Sequence, residues 1–367
     1  MTLIKSISGI RGTIGGVVGN ALTPIDIVKF TYALCATLPQ RKPTPNGKRY
    51  KIVVGKDARL SGNMVENIVV GTLISCGVDV VKCGYASTPT TEMAVLFAKA
   101  DGGIILTASH NPVQWNALKL LNEHGEFLTA KEGQEVLALA ESEDFNFAEV
   151  TELGEIQEHE YTKEHLDAVL NLPAVDAAAI RKAGFKVVVD AINSVGGLIM
   201  PELLERLGVK CIKLNCEPTG KFAHNPEPLP SNLLELSAKV VEEKADLGIS
   251  VDPDVDRLAF ICEDGEPFVE EYTLVSVADY ICSLAEKEGK KIATVSNLSS
   301  SRALRDVTEA HGGTYYASAV GEVNVTTLMH KVDAVIGGEG NGGVIYPSIH
   351  AGRDAMVGVA LFLSNLA

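Results

Sequence analysis

One pattern of apolar runs occurs three times in this chain of 367 residues, and it constrains the fold more than any other feature. Each copy opens with a run that carries lysine at its start: KIVVGKDAR from Lys51, FKVVVDAINS from Phe185, KKIATVSNLSS from Lys290. A helical pattern follows, as in Met64, Val65, Ile68, Leu73 and Cys76 after a Ser61 that is placed to cap it. A glycine then introduces a second short run: GVDVVKCG from Gly77, GVKCIKLN from Gly208, GGTYYASAVG from Gly312. The third runs are GGIILTASHNP from Gly102, ADLGISVDPDVDR from Ala245 and VDAVIGGEGNGG from Val332.

Strand, helix, strand, helix, strand is the order of a parallel sheet covered by helices. The spacing between copies is too long for one βα unit of a single barrel. The expected fold class is therefore α/β: three consecutive similar domains, each a mostly parallel mixed sheet between helices, around a shared active-site cleft. Boundaries fall at the acidic stretch from Glu152 to Glu160 and at EDGEP near residue 264, giving domains 1–155, 156–264 and 265–367. The composition agrees, with 34 Gly against 10 Phe, 9 Tyr and 1 Trp, which suits loop-rich α/β domains better than an aromatic-cored sandwich.

Ligands of open α/β sheets bind beyond the carboxyl ends of the strands, so the loops after the third runs are the places to look for chemistry. In TASHNP, Ser109 follows a strand with His110 and Asn111 beside it, as an exposed nucleophile or phosphate carrier would; a capping or turn serine is the plainer reading. No G-x-S-x-G elbow is present, which disfavours a hydrolase triad. In DPDVDR, alternate residues of an extended segment share a face, so Asp252, Asp254 and Asp256 can turn their carboxylates together. Three such groups repel one another unless a hard cation such as Mg²⁺ or Ca²⁺ sits among them; a solvated acidic turn is the alternative. An EF-hand is disfavoured, because Arg257 stands where its glycine belongs and LAFIC reads as strand. GEGNGG, Gly338 to Gly343, matches G-x-G-x-x-G, yet strand-like VIYP follows where a dinucleotide fingerprint needs a helix. Glu339 and Asn341 there suit hydrogen bonds to a polyhydroxylated ligand, or the loop is a plain turn.

Charge and targeting narrow the partners. The net charge of −15 argues against nucleic acid and against anionic membrane surfaces. Seven cysteines form no CxxC pair and read as reduced thiols rather than a zinc site or disulfide framework. The N-terminus lacks a signal peptide's apolar core, and no run approaches the ~18 apolar residues of a membrane span. A cytoplasmic protein is expected.

In order and over the whole chain, SGIRG (Ser8 to Gly12), TASHNP, DPDVDR and GEGNGG resemble the arginine, phosphoserine, metal and sugar loops of the α-D-phosphohexomutase family. The resemblance implies that Ser109 carries a phosphoryl group and joins Asp252, Asp254 and Asp256 in ligating one Mg²⁺. It implies Lys119, in WNALK, as general acid/base, with His110 beside the serine and Arg257 beside the metal. Arg11 would meet a phosphate; Gly321 and Glu322, in VGE, would face ligand; Glu339 and Asn341 would hold sugar hydroxyls.

There are departures. Pro253 and Val255 stand where metal-loop glycines are common, and Asn341 and Gly343 where many members have Ser and His. Members continue beyond the point reached here, Ala367 in a helix-like segment, into a fourth domain that clamps phosphate. The implied activity is phosphohexomutase, glucosamine 6-phosphate to glucosamine 1-phosphate through a hexose 1,6-bisphosphate, or its phosphomannomutase or phosphoglucomutase counterpart. A metal-dependent phosphatase and a non-catalytic sugar-phosphate binder are the competing classes. The expected partner is a small hexose phosphate, with the chain a monomer or homodimer.

Overall fold

A computed structural model describes residues 1–6, 9–41 and 48–367. They fall into two compact units, Met1–Tyr161 and Thr162–Ala367.

In the first unit one sheet contains β1 (Ile4–Ser6), β2 (Gly9–Thr13), β3 (Lys51–Lys56), β4 (Asp79–Tyr85), β5 (Gly102–Leu106), β6 (Trp115–Leu121) and β7 (Ile156–Glu158). Their spatial order is β1-β2-β6-β5-β3-β4-β7. The helices are α1 (Pro24–Arg41), α2 (Gly62–Ser75), α3 (Thr88–Ala98) and α4 (Ala130–Ser142). Ile52 and Val54 of β3 enter a core with Phe30 and Leu34 of α1, Val65 and Leu73 of α2 and Val136 of α4. Val53, between them, enters the opposite core with Ala94 and Val95 of α3. Burial on both faces is why this strand reads as an unbroken apolar run, each such side chain contributing about 1.5–3 kcal/mol.

Two helix starts in this unit are set locally. The Ser87 hydroxyl accepts the Thr90 amide at 3.0 Å before α3, and Thr129 and Glu132 form a reciprocal capping box before α4. Ser61 does not cap α2 as the sequence suggests. It already has helical dihedrals, and its hydroxyl accepts from Asn116 Nδ2 at 2.9 Å instead.

The second unit holds two four-stranded sheets. The first contains β8 (Lys186–Asp190), β9 (Lys210–Leu214), β10 (Leu247–Val251) and β11 (Leu258–Cys262), in the order β11-β10-β8-β9. The second contains β12 (Ala293–Asn297), β13 (Thr314–Ser318), β14 (Ile336–Glu339) and β15 (Gly343–Ile345), in the order β13-β12-β14-β15. The helices are α5 (Thr162–Leu170), α6 (Ala177–Ala183), α7 (Gly196–Arg206), α8 (Leu234–Glu243), α9 (Glu270–Lys287), α10 (Ala303–Ala310), α11 (Glu322–Val332) and α12 (Ala355–Leu366). The helix read at the end of the sequence is α12, whose Phe362 stacks on Phe260 of β11 at 3.9 Å. Asp354 caps it through Oδ1, and its Oδ2 faces His165 Nε2 at 3.0 Å and His350 Nε2 at 3.2 Å. Burial opposes ionisation of this carboxyl, but the two histidines outweigh it and hold Asp354 below the usual carboxylate range.

The threefold pattern is realised as one topology. In every copy the second strand lies outside the first, the third lies on the first strand's other side, and an antiparallel fourth follows: β4-β3-β5-β6, β9-β8-β10-β11 and β13-β12-β14-β15. The chain therefore forms three α/β/α domains with mixed sheets. The strand order reverses between the first and third strands, the point at which such sheets bind ligands. TASHNP and DPDVDR follow the third strands, and GEGNGG spans the end of β14 and its turn into β15.

Candidate active site

In the first unit the TASHNP loop is built around a fully buried pair, Asp57 and Arg59, from the loop after β3. Arg59 Nε donates to Asp57 Oδ2 at 2.9 Å. The rest of its guanidinium donates to the carbonyls of Asn111 at 2.8 Å, Pro112 at 2.9 Å, Trp115 at 3.1 Å and Ser109. Thr107 donates its hydroxyl to Asp57 Oδ2 at 2.6 Å and accepts the Ser109 amide at 3.0 Å. So held, Ser109 adopts a left-handed φ of 46°, uncommon for a residue with a Cβ. Backbone held in such a sparse region clusters at functional sites.

Lys119 on β6 pairs with Ile105, and Ala117, two residues back on the same face, pairs with Arg11 of β2. Arg11 and Lys119 thus share one face of the sheet. Arg11 is exposed, while half-buried Lys119 donates to Thr88 Oγ1 at 3.4 Å and lies over the Phe127 ring. His110 is half-buried beside Ser109. Ser8 of the SGIRG segment lies outside the described residues.

In the second unit Asp252, Asp254 and Asp256 are all fully buried, and one carboxylate oxygen from each lies within 4.8 Å of the others. A turn, not strand alternation, brings them together. Val255 takes a φ of 63° and donates its amide to the Asp252 carbonyl, and Asp252 Oδ1 accepts the amides of Asp256 at 3.1 Å and Arg257 at 3.2 Å. Arg257 also reaches Glu227 at 3.4 Å. Three buried carboxylates at this spacing suit a hard divalent cation.

The sugar-loop candidates close on the same cluster through Arg353, a residue the sequence did not single out. Its Nη2 donates to Asp256 Oδ2 at 2.7 Å, its Nε to Glu322 Oε2 at 3.0 Å and its Nη1 to Glu339 Oε2 at 3.0 Å. Burial works against this charge, and Asp256, Glu322 and Glu339 more than offset it, so Arg353 is firmly protonated. Glu339 Oε1 accepts from Asn297 Nδ2 at 2.6 Å and from the Gly321 amide at 3.2 Å. Asn341 Oδ1 is buried with no hydrogen-bond partner among the described residues. Gly342, at φ 88°, brings its backbone against β11: its carbonyl accepts the Leu258 amide at 3.1 Å, and a Cβ there would lie 2.1 Å from the Leu258 carbonyl oxygen.

In each repeat the end of the first strand, or the loop after it, fastens the end of the third strand or the loop that follows it. Asp57 and Arg59 do so for TASHNP. Ser194 Oγ donates to the Pro253 carbonyl at 2.6 Å, and Asn297 and Ser300 hold Glu339 and the Gly340 amide. These fasteners lie in GKDAR, DAINS and SNLSS, where polar residues ending apolar runs were the available signal.

Residues 4–147, 163–265 and 270–367 match the family descriptions "phosphoglucomutase/phosphomannomutase, alpha/beta/alpha" domains I, II and III. A Thermococcus kodakarensis protein named phosphoglucomutase/phosphomannomutase is 37% identical over 97% of this chain and 76% of its own length. A Pyrococcus abyssi protein named probable phosphoglucosamine mutase is 34% identical over 98% and 74%. The crystal structure of a putative phosphomannomutase from Thermus thermophilus superposes with a TM-score of 0.86 at 25% identity, over 100% of this chain and 80% of that one.

Proposed function

The chain belongs to the phosphoglucomutase/phosphomannomutase family of phosphohexomutases, isomerases of hexose phosphates, and on that premise we propose that it interconverts glucosamine 6-phosphate and glucosamine 1-phosphate. The observation that carries the reading is Ser109, held at positive φ by a buried arginine that satisfies four carbonyls around it. Rigid presentation of one hydroxyl is what transfer of a phosphoryl group requires, since that chemistry depends on placement and charge neutralisation.

In this reading Ser109 Oγ carries the phosphoryl group. Its P–O bond breaks with the electron pair leaving on Ser109 Oγ, which takes up a proton, as a bond forms to one sugar hydroxyl whose proton passes to the base, a role assigned to Lys119. The bisphosphate formed turns over; its other P–O bond then breaks as Ser109 Oγ gives up its proton and takes that phosphoryl group, and the sugar oxygen left behind is protonated by Lys119 acting as the acid. Arg11 and Arg257 meet phosphate oxygens, His110 lines the serine's loop, and Gly321, Glu322, Glu339 and Asn341 belong to the sugar side. Asp252, Asp254 and Asp256 would hold Mg²⁺, which when bound supplies positive charge to phosphoryl oxygens. Asp252 and Asp256 each have one oxygen committed to protein donors, which favours single-oxygen ligation and hence Mg²⁺ over Ca²⁺. Domain limits at 155 and 264 belong to the same proposal.

The test is the Ser109→Ala variant beside the parent, assayed for both sugar products and for inorganic phosphate, with intact mass reporting one phosphoryl group on the parent. Loss of turnover and of the modification supports the serine. Stoichiometric phosphate release would make the protein a phosphatase, and near-normal mutase activity in the variant would exclude Ser109. The second reading, mannose or glucose phosphates as substrates, is favoured by the name of the Thermococcus relative, and kcat/KM for the three sugars separates them.

A further inference from the structure

We infer that Arg353 is the positioning residue that makes the aspartate cluster selective for Mg²⁺ and locks the metal loop to the sugar loop. The inference rests on the proposed reading of Asp252, Asp254 and Asp256 as cation ligands. One guanidinium spends its three nitrogens on three buried carboxylates: Asp256 of the metal loop, Glu339 of the GEGNGG loop and Glu322 at the start of α11. The Arg353 amide also donates to Glu322 Oε1 at 2.9 Å, so backbone and side chain grip the same residue.

The stem of Arg353 is seated as firmly as its head. It crosses the space above Gly343, where a Cβ would lie 2.3 Å from Arg353 Cδ and 3.0 Å from Cγ. Gly343 and Arg353 are therefore a matched pair, the missing side chain of one making room for the other. The consequence for Asp256 is specific. With Oδ2 tied down at 2.7 Å, the carboxylate cannot swing to offer both oxygens to one ion. Mg²⁺ demands octahedral geometry and single-oxygen ligands, whereas Ca²⁺ accepts two-oxygen carboxylates and loose geometry. Fixing the ligand from behind therefore favours the smaller ion, and groups that orient metal ligands in this way typically matter 10–100-fold.

The experiment titrates the full chain calorimetrically with Mg²⁺ alone and with Ca²⁺ alone, comparing the parent with Arg353→Lys, Arg353→Met, Gly343→Ala and Asp254→Asn. The ratio of the two dissociation constants, Ca²⁺ over Mg²⁺, should fall about tenfold or more in both Arg353 variants. It should fall likewise in Gly343→Ala, which changes no charge but displaces the stem. Circular dichroism separates this from unfolding, and if Arg353→Met does not fold, Arg353→Lys and Gly343→Ala still decide the matter. KM for the hexose phosphate should rise in the same variants through Glu339. An unchanged ratio in folded variants overturns the inference. Parent protein that binds neither ion, or binds both as Asp254→Asn does, instead overturns the reading of the triad.

Discussion

Removing the guanidinium of Arg59 is the severest single test of how the serine loop is held. In Arg59→Met the hydrophobic stem survives, but the buried Asp57 carboxylate loses its cationic partner at 2.9 Å and four loop carbonyls lose their donor. Breaking a buried ion pair from one side costs about 3–5 kcal/mol. Each carbonyl left dry would cost about 1–3 kcal/mol more. The loop can turn outward to water, however, so most of that second loss appears as disorder at Ser109 rather than as lost stability. The expected destabilisation is about 3–5 kcal/mol, a large share of a domain's typical ~5–15 kcal/mol. Arg59→Lys keeps a charge near Asp57 but cannot reach four carbonyls, and should lose less. The assay is built into the chain: its one tryptophan, Trp115, lies in the first unit, and its carbonyl is one of the four. Urea unfolding followed by Trp115 fluorescence therefore reports this unit, and mutase turnover reports the loop. A loss below ~1 kcal/mol in Arg59→Met, with turnover intact, would refute the claim that this buried cation organises the site.

Two further outcomes follow from the second unit. Asp254→Asn should weaken Mg²⁺ binding while leaving metal-free thermal stability unchanged or higher, because one of three mutually repelling buried carboxylates is gone; calorimetry checks both, and unaltered Mg²⁺ binding would place the ion elsewhere. His224 is partly buried, which opposes its charge. The hydrogen bond at 3.0 Å to Asp190, the charge of Asp190 and the Asn225 carbonyl outweigh this and raise its pKa above the ordinary 6.5. Stability from this pair is thus full below pH 6.5 and fades as pH rises through the folded-state value, so the gap in Tm between the parent and His224→Gln should shrink with rising pH. A gap constant across that range would show that His224 is not titrating.

Much of this architecture is written in local sequence. Apolar runs such as Ile52 to Val54 announce doubly covered strands, and strand-like VIYP after GEGNGG marked that loop as no dinucleotide fingerprint, as β15 shows. The carboxylate cluster is legible in DPDVDR too, although its cause is not: strand alternation predicts it, whereas a turn at Val255 brings it about. What stayed hidden depends on partners distant in the chain. Asp57 and Arg59 look like any polar end of a strand until β3 lies beside β5. Arg353 stands 97 residues from Asp256 and 31 from Glu322, with no periodicity linking them. Ser61 misled because a serine before a helix signals a cap only when its own dihedrals stay outside the helical region.

The fastening of each of these three loops by its neighbouring strand bears on how such loops can be transplanted. Thr107 meets Asp57 across 50 residues, Ser194 meets Pro253 across 59 and Asn297 meets Glu339 across 42. Chemistry and support are thus inherited as two separate pieces of text. A side-chain change at Pro253 leaves in place the backbone carbonyl that Ser194 holds. A graft that carries TASHNP or GEGNGG alone into a related scaffold would deliver the side chains without the contacts that shape the loop. The smallest transferable unit is the pair of segments, the loop together with the end of the first strand of its own repeat.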